Sequence, residues 1–284
     1  MKAIKAMNAM NAISVSQPEH LVVIGNGMAA IRLVEELVRR TAPLRVTVIG
    51  DEPGPAYNRI LLSAVLEGSH PPEELRLKDQ AWYAENGVEL ISGTRVVRID
   101  RDERVVWLAD ERRVPYDRLV LATGSVPVLP PIRGLVTPDG ALSPKVYAFR
   151  SMADCLGLLR ALPEARRAVV VGGGLLGLQV ARALGVRGLE VDLVEAAPHL
   201  LASHIGEPAG AVLRRSVEEL GCEVLPGDPG GQAHRRGPAA GHRGTCCALT
   251  SSSLPPGRAP RRRWPRLPAC SCGAASWWTT RSPP

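Results

Sequence analysis

Two glycine-rich runs, Gly25-Asn26-Gly27-Met28-Ala29-Ala30 and Gly172-Gly173-Gly174-Leu175-Leu176-Gly177, have the spacing that holds the pyrophosphate of a dinucleotide. Each closes a short apolar run, Leu21 to Ile24 in the first case and Ala168 to Val171 in the second. The first glycine of such a run makes a sharp turn, the second lets phosphate come against the backbone, and the third position lets helix and strand pack closely. Ala30 is an accepted small residue at that third position, which Gly177 fills in the second run. The helix that follows contributes unpaired N–H donors and a partial positive charge at its N-terminus. Two such sites in one chain point to electron transfer between dinucleotides.

The elements around the runs must position a ribose as well. After Gly177 the pattern predicts a helix from Leu178 to Gly188, a strand from Glu190 to Val194, and then Glu195. An acidic side chain there accepts from a ribose 2′-OH and repels a 2′-phosphate, so the second site is expected to prefer NADH over NADPH. The first unit runs through an amphipathic helix, Ala29 to Arg40, and a strand, Arg45 to Ile49, to Asp51 and Glu52. Either carboxylate is a ribose candidate. Strands are expected at 88–92, 96–100 and 105–108, helices at 73–86 and 151–162, and a last strand at 223–225.

Between the two glycine runs lies Val114-Pro115-Tyr116-Asp117-Arg118-Leu119-Val120-Leu121-Ala122-Thr123-Gly124, an apolar strand ending in small residues that fit beside a bound dinucleotide. In this order the pattern resembles two-dinucleotide flavoprotein reductases, which carry FAD in the first fold and a nicotinamide domain inserted after the Ala122-Thr123-Gly124 strand. Residues 20 to 226 resemble more narrowly the N-terminal reductase part of NAD(P)H-dependent nitrite reductase large subunits, at Ile24 to Met28, at Ala56-Tyr57-Asn58-Arg59-Ile60-Leu61-Leu62-Ser63 and at Gly172 to Leu178. Ferredoxin and rubredoxin reductases usually have Leu-Ser-Lys where this chain has Leu62-Ser63-Ala64, which favours the nitrite reductase comparison and removes a flavin contact.

The resemblance implies an α/β protein of two Rossmann-like domains: FAD-binding over 20–140, and NAD(P)H-binding, incomplete, over 141–226. It implies hydride transfer from NADH to FAD and delivery of electrons to a redox acceptor, which in that family is an iron–sulfur and sirohaem centre reducing nitrite. A cytoplasmic protein without a membrane span is expected. The alternatives are a stand-alone ferredoxin- or rubredoxin-type reductase, or an inactive, truncated remnant. Arg59 is a candidate phosphate partner or else a solvated surface charge. No acid, base or nucleophile is assigned, and the absence of cysteine between Asp51 and Leu75 argues against a thiol relay.

The net charge of +7 is unevenly spread. Beyond Pro226 the chain has nine arginines, one acid, nine prolines and no valine, isoleucine or lysine, whereas the first 226 residues balance 26 basic against 27 acidic side chains. Nucleic-acid binding through Arg261-Arg262-Arg263 is therefore not expected of the body. Residues 227–284 read as an irregular, disordered basic tail, and residues 1–19 as a disordered extension. The genetic code offers a sharper expectation, a frameshift near Gly227: Trp277-Trp278-Thr279 must be encoded TGG-TGG-ACN, and the neighbouring frame reads GTG-GAC, Val-Asp. In the same frame residues 250–257 can become Asp-Val-Val-Val-Ala-Ala-Ala-Gly. No metal site is expected: Cys246-Cys247 and Cys270-x-Cys272 lack zinc-ligand spacing, and His199 and His204 are isolated. Cys155 and Cys222 read as buried thiols, and Trp82-Tyr83 as packing residues.

Overall fold

The computed structural model describes residues 17–127, 129–130, 132, 134–226, 245–249 and 276–278. The order of elements begins β1 (Glu19–Ile24), α1 (Met28–Arg39), β2 (Leu44–Gly50), α2 (Leu62–Glu67), α3 (Gln80–Glu85), β3 (Val88–Ser92), β4 (Val96–Asp100), β5 (Val105–Leu108), β6 (Arg113–Pro115) and β7 (Arg118–Leu121). It continues β8 (Val146–Ala148), α4 (Met152–Ala161), β9 (Arg167–Val171), α5 (Leu175–Val186), β10 (Glu190–Glu195), α6 (Glu207–Glu219), β11 (Cys222–Pro226), β12 (Thr245–Leu249) and β13 (Ser276–Trp278). Backbone packing divides this chain into two compact units.

The first unit takes the described residues of Met1–Pro55, Lys78–Thr123 and Ala274–Pro284. Its main sheet has the order β13-β7-β1-β2-β3, with β1 parallel to both β2 and β7. Continuous burial from His20 to Ile24 is what a central parallel strand requires, because both of its faces are covered. Ala30, Ile31 and Val34 bury one stripe of α1. The antiparallel sheet β4-β5-β6 adds Val106, Leu108 and Val114 to the core formed by Val22, Ile24 and Ile49.

The second unit takes Ala56–Leu77 and the described residues of Gly124–Gly273. Its sheet has the order β11-β10-β9-β12-β8, and β9 is parallel to both β10 and β12. A capping box starts α4: Ser151 Oγ accepts from the Asp154 N–H, and the Asp154 carboxylate accepts from the Ser151 N–H. The core includes Val170, Val180, Leu184 and Leu193 together with Leu62, Val65 and Leu66 of α2. Arg182 pairs with Glu67 at 3.1 Å, and Arg187 Nε donates to Leu66 O at 2.9 Å. These units interleave along the chain, whereas the sequence-derived spans were contiguous: α2 buries its apolar face against α5, a contact made across more than a hundred residues.

The described residues include two strands beyond Pro226: β12, with Ala248 fully buried, and β13, antiparallel to β7. Neighbouring strands satisfy the backbone of β12 on both edges, so it forms without the β-branched pattern that sequence reading looks for. The rest of 227–284, with Arg261–Arg263 and Cys270-x-Cys272, lies outside the described residues, as do the first 16 residues of the extension.

Candidate dinucleotide sites

In the first unit, β1 ends at Ile24 and Gly25 turns the chain with φ +110°, its N–H donating to Ile49 O at 2.7 Å. A Cβ on Gly25 would lie 2.1 Å from Ala122 O and 2.9 Å from Thr123 N. The end of β7 thus abuts the loop, and only glycine fits. Asn26 is pinned from two sides: its Nδ2 donates to Gly54 O at 3.2 Å, and the Tyr83 hydroxyl donates to its Oδ1 at 3.1 Å. Gly27 is different, because a Cβ there would meet nothing within 4 Å. It occupies the N-cap of α1, which has no side-chain cap and no acid in its first turn. The first N–H groups of that helix therefore have no side-chain cap, the arrangement that favours an anion at a helix start.

Ala30 is buried on α1, at the position where a small residue lets helix and strand pack closely. Asp51, just past β2, pairs with Arg95 at 3.2 Å, both side chains more than half exposed. Glu52 accepts at its main-chain oxygen from the Gly93 N–H at 3.1 Å.

The second unit repeats the design. Gly172 has φ +116°, and its N–H donates to Val194 O at 2.8 Å. Gly174, the N-cap of α5, has no heavy atom within 4 Å of a built Cβ, and α5 too starts without a capping side chain or an acid. Gly177 is buried in α5. Glu195 Oε2 accepts from the Gly173 N–H at 2.6 Å and Oε1 from the Ala197 N–H at 2.8 Å. The Leu201 N–H donates to Gly173 O at 3.0 Å, so Gly173 is held through both its polar groups. Each carboxylate oxygen keeps a further lone pair able to accept a hydrogen bond. The residues after Glu195 are Ala196-Ala197-Pro198, with no arginine to receive a 2′-phosphate.

The structure brings Gly25, Gly27, Ala30, Asp51, Ala122 and Thr123 into the first unit, and Gly172, Gly174, Gly177 and Glu195 into the second. Gly124, with φ +71°, and Arg59 also fall in the second unit. Arg59 Nη1 donates to Arg150 O at 2.9 Å, and its guanidinium lies 5.4 Å from the Tyr57 ring centre. Sequence reasoning missed Asn26, Tyr83 and Leu201 as supports, and Leu200, whose side chain would lie 2.6 Å from a Cβ on Gly173. An asparagine between the two turning glycines was the available signal; the tyrosine and leucines offered none. Among the described residues no group of three or more His, Cys, Asp or Glu could hold a metal ion, and no helix is long and apolar enough to cross a membrane. Burial pushes the Cys155 thiol up to about 11 and raises that of Cys222. The side chains of Cys246 and Cys247 lie outside the described residues.

Two sheets of matching strand order, each with a glycine loop opening onto an uncapped helix, define a mixed α/β oxidoreductase fold built around two dinucleotide loops. Residues 19–231 match the pyridine nucleotide-disulphide oxidoreductase family, and the chain belongs to it. It is 39% identical over 208 residues to a nitrite reductase [NAD(P)H] of Bacillus subtilis (strain 168), covering 73% of this chain and 25% of that protein. It is 36% identical over 208 residues to the chlorobenzene dioxygenase ferredoxin reductase component of Cupriavidus sp. (strain PS12), covering 72% and 48%. A crystal structure of the covalent putidaredoxin reductase–putidaredoxin complex shares the fold with a TM-score of 0.67 at 30% identity, covering 74% of this chain and 50% of that one. The chain spans about a quarter of the nitrite reductase and about half of the ferredoxin reductase it matches.

Proposed function

We propose that the chain is an FAD-dependent reductase module that takes hydride from NADH and passes electrons onward, with FAD held by the loop at Gly25 and Gly27 and NADH by the loop at Gly172 and Gly174. The observation that carries this reading is the matched pair of loops, each with one closed glycine and one open one. The residues fit the cofactors: Gly27 and Gly174 leave space where phosphate must approach, beside helix starts whose donors are uncapped.

FAD, when bound, supplies the conversion of a two-electron hydride into single electrons. The chain's own residues bind and orient. Ala122 and Thr123 wall the first loop, Asp51 or Glu52 receives the flavin-side ribose, and Glu195 receives the nicotinamide-side ribose while fixing Gly173. Arg59 has a phosphate role in this reading, set against its hydrogen bond to Arg150 O.

The acceptor proposed is a nitrite-reducing domain or partner with iron–sulfur and sirohaem groups, in keeping with the nitrite reductase likeness and with Ala64 after Leu62-Ser63. A reductase for ferredoxin-type acceptors is the second reading, favoured by the likeness to a dioxygenase ferredoxin reductase component. A cytoplasmic location belongs to both.

Fluorescence titration of FAD and of NADH, on the chain and on Glu195→Ala, tests the assignment. Losing one or two hydrogen bonds to a charged group corresponds to about a ten- to hundredfold weaker NADH affinity, with FAD affinity unchanged. Equal NADH affinity in the two proteins removes Glu195 from the ribose site, and absence of FAD binding to the unaltered chain removes the reductase reading.

A further inference from the structure

The two main sheets repeat one another: β7-β1-β2-β3 in the first unit corresponds to β12-β9-β10-β11 in the second. The match extends to the glycines, since Gly25 and Gly172 have nearly the same positive φ and each donates to the strand after its helix. β12 therefore stands in the place of β7, parallel to β9 on the side away from β10. In the first unit that place is taken by Asp117-Arg118-Leu119-Val120-Leu121-Ala122-Thr123-Gly124, three apolar residues followed by small ones that wall the glycine loop. In the second, Thr245-Cys246-Cys247-Ala248-Leu249 leads into Thr250-Ser251-Ser252-Ser253-Leu254-Pro255-Pro256-Gly257. A polar stretch with two prolines is unsuited to a strand covered on both faces.

The codons resolve the mismatch. A chain with 31 arginines and four lysines points to a G- and C-rich codon vocabulary, CGN over AAR. Starting each codon one base earlier, serines written TCN give NTC, which encodes only Phe, Leu, Ile or Val. Leucine or proline codons beginning CT or CC give NCT or NCC, which encode only Ala, Pro, Ser or Thr. Where the Leu249 and Pro256 codons end in G, codons 250–257 read Asp, three apolar residues, three small residues and Gly, which shares with residues 117–124 an Asp at one end, apolar residues running into small ones and a Gly at the other, with Arg118 the exception in second place. Arginine codons CGN preceded by any base give NCG, so the run Arg261-Arg262-Arg263 dissolves into Ala, Pro, Ser or Thr.

Two further coincidences need no assumption about codon choice. Any residue before Trp or Cys gives NTG, hence Leu, Met or Val. The Thr245/Cys246 and Ser276/Trp277 junctions are of this kind, Cys246/Cys247 gives Leu, and Trp277/Trp278 gives Val. The codons at Trp277 and Trp278 of β13 therefore spell apolar strand formers in the neighbouring frame, as do those of Cys246 and Cys247 in β12, whereas Ala248 becomes Cys or Arg.

We infer that the chain from about Gly227 onward is read one base out of register with the frame that specifies the second fold, and that codons 250–257 in that frame encode an apolar strand running into small residues, of the kind that walls the first glycine loop, whereas the chain as it stands sets Thr245–Leu249 beside β9. This rests on sheet order and the genetic code, and is independent of which cofactors the loops bind.

Reading the DNA that encodes residues 220–284 tests it. The expected result is a neighbouring frame open throughout, with TCN at Ser251, Ser252 and Ser253. A stop codon in that frame overturns the inference. So do serine codons AGY at those positions, which would place Lys, Glu, Gln or a stop inside the strand. A second measurement uses protein: a single-base change near codon 227 that restores the frame should tighten NADH binding by at least about tenfold relative to the chain as it stands. Equal or weaker binding by a soluble restored protein contradicts it, whereas failure of both proteins to bind NADH alongside an open, strand-encoding frame would count against the cofactor assignment instead.

Discussion

Gly25 and Gly27 differ in what surrounds them, so alanine at each should fail in a different way. At Gly25, alanine must adopt φ +110° and set its Cβ 2.1 Å from Ala122 O, where carbon contacts normally begin beyond 3 Å. The backbone conformation costs about 1–3 kcal/mol, and pushing the end of β7 aside costs about as much again. The sum, roughly 4 kcal/mol, is a large part of the 5–15 kcal/mol that holds a domain together. At Gly27 a methyl group meets no protein atom. Loss of a glycine N-cap costs up to about 1 kcal/mol, and the stiffer unfolded chain returns about 0.4–1 kcal/mol, so stability should hardly change. The methyl group does occupy the space left for a phosphate, and FAD affinity should fall at least about tenfold, or 1.4 kcal/mol. Urea unfolding followed by circular dichroism, with FAD titration on the same samples, separates the cases. If Gly25→Ala is as stable as the parent, the packing of Ala122 on the loop is wrong. If Gly27→Ala is stable and keeps its FAD affinity, the open space is not a phosphate site.

The second loop allows the same contrast: Gly173→Ala would drive a Cβ to within 2.6 Å of Leu200 and 2.9 Å of Glu195 and should lower both stability and NADH affinity, while Gly174→Ala should lower affinity alone. His20 is buried, and since Thr47 Oγ1 donates to Glu89, His20 Nε2 donates to Thr47 Oγ1 at 2.8 Å. Burial, then Arg45, lowers its pKa against the opposing pull of Glu89 and Asp117. The unfolded chain therefore takes up this proton first, so urea midpoints should fall as pH drops below the ordinary value of 6.5 towards the lowered folded value, and His20→Gln should flatten that part of the curve. A parallel dependence in His20→Gln would assign the acid sensitivity elsewhere. With its thiol pushed up to about 11, Cys155 should resist alkylation at pH 8 until urea exposes it; rapid labelling of the native protein would contradict its burial.

Much of the frame was legible because local pattern dictates it. The apolar runs into Gly25 and Gly172 became central parallel strands, and the strands expected at 88–92, 96–100 and 105–108 formed there. Glu195 reached the second glycine loop, as an acid closing the second strand of such a unit should. What escaped were contacts between distant residues. The pairing of α2 with α5 through Glu67–Arg182 and Arg187–Leu66, and the Tyr83 hydroxyl on Asn26, depend on tertiary approach that no window of sequence reports. β12 escaped for a different reason: hydrogen bonding to β9 and β8 outweighs the poor strand propensity of its own residues.

The central claim, that the first loop holds FAD and the second NADH so that electrons pass between them, is tested most directly by anaerobic addition of excess NADH to the FAD-loaded chain while the flavin absorbance is followed. The account predicts that NADH bleaches the flavin band, that NADPH does so more slowly, and that Glu195→Ala narrows the difference. Flavin that stays oxidised in excess NADH, or that NADPH bleaches as fast, would contradict it.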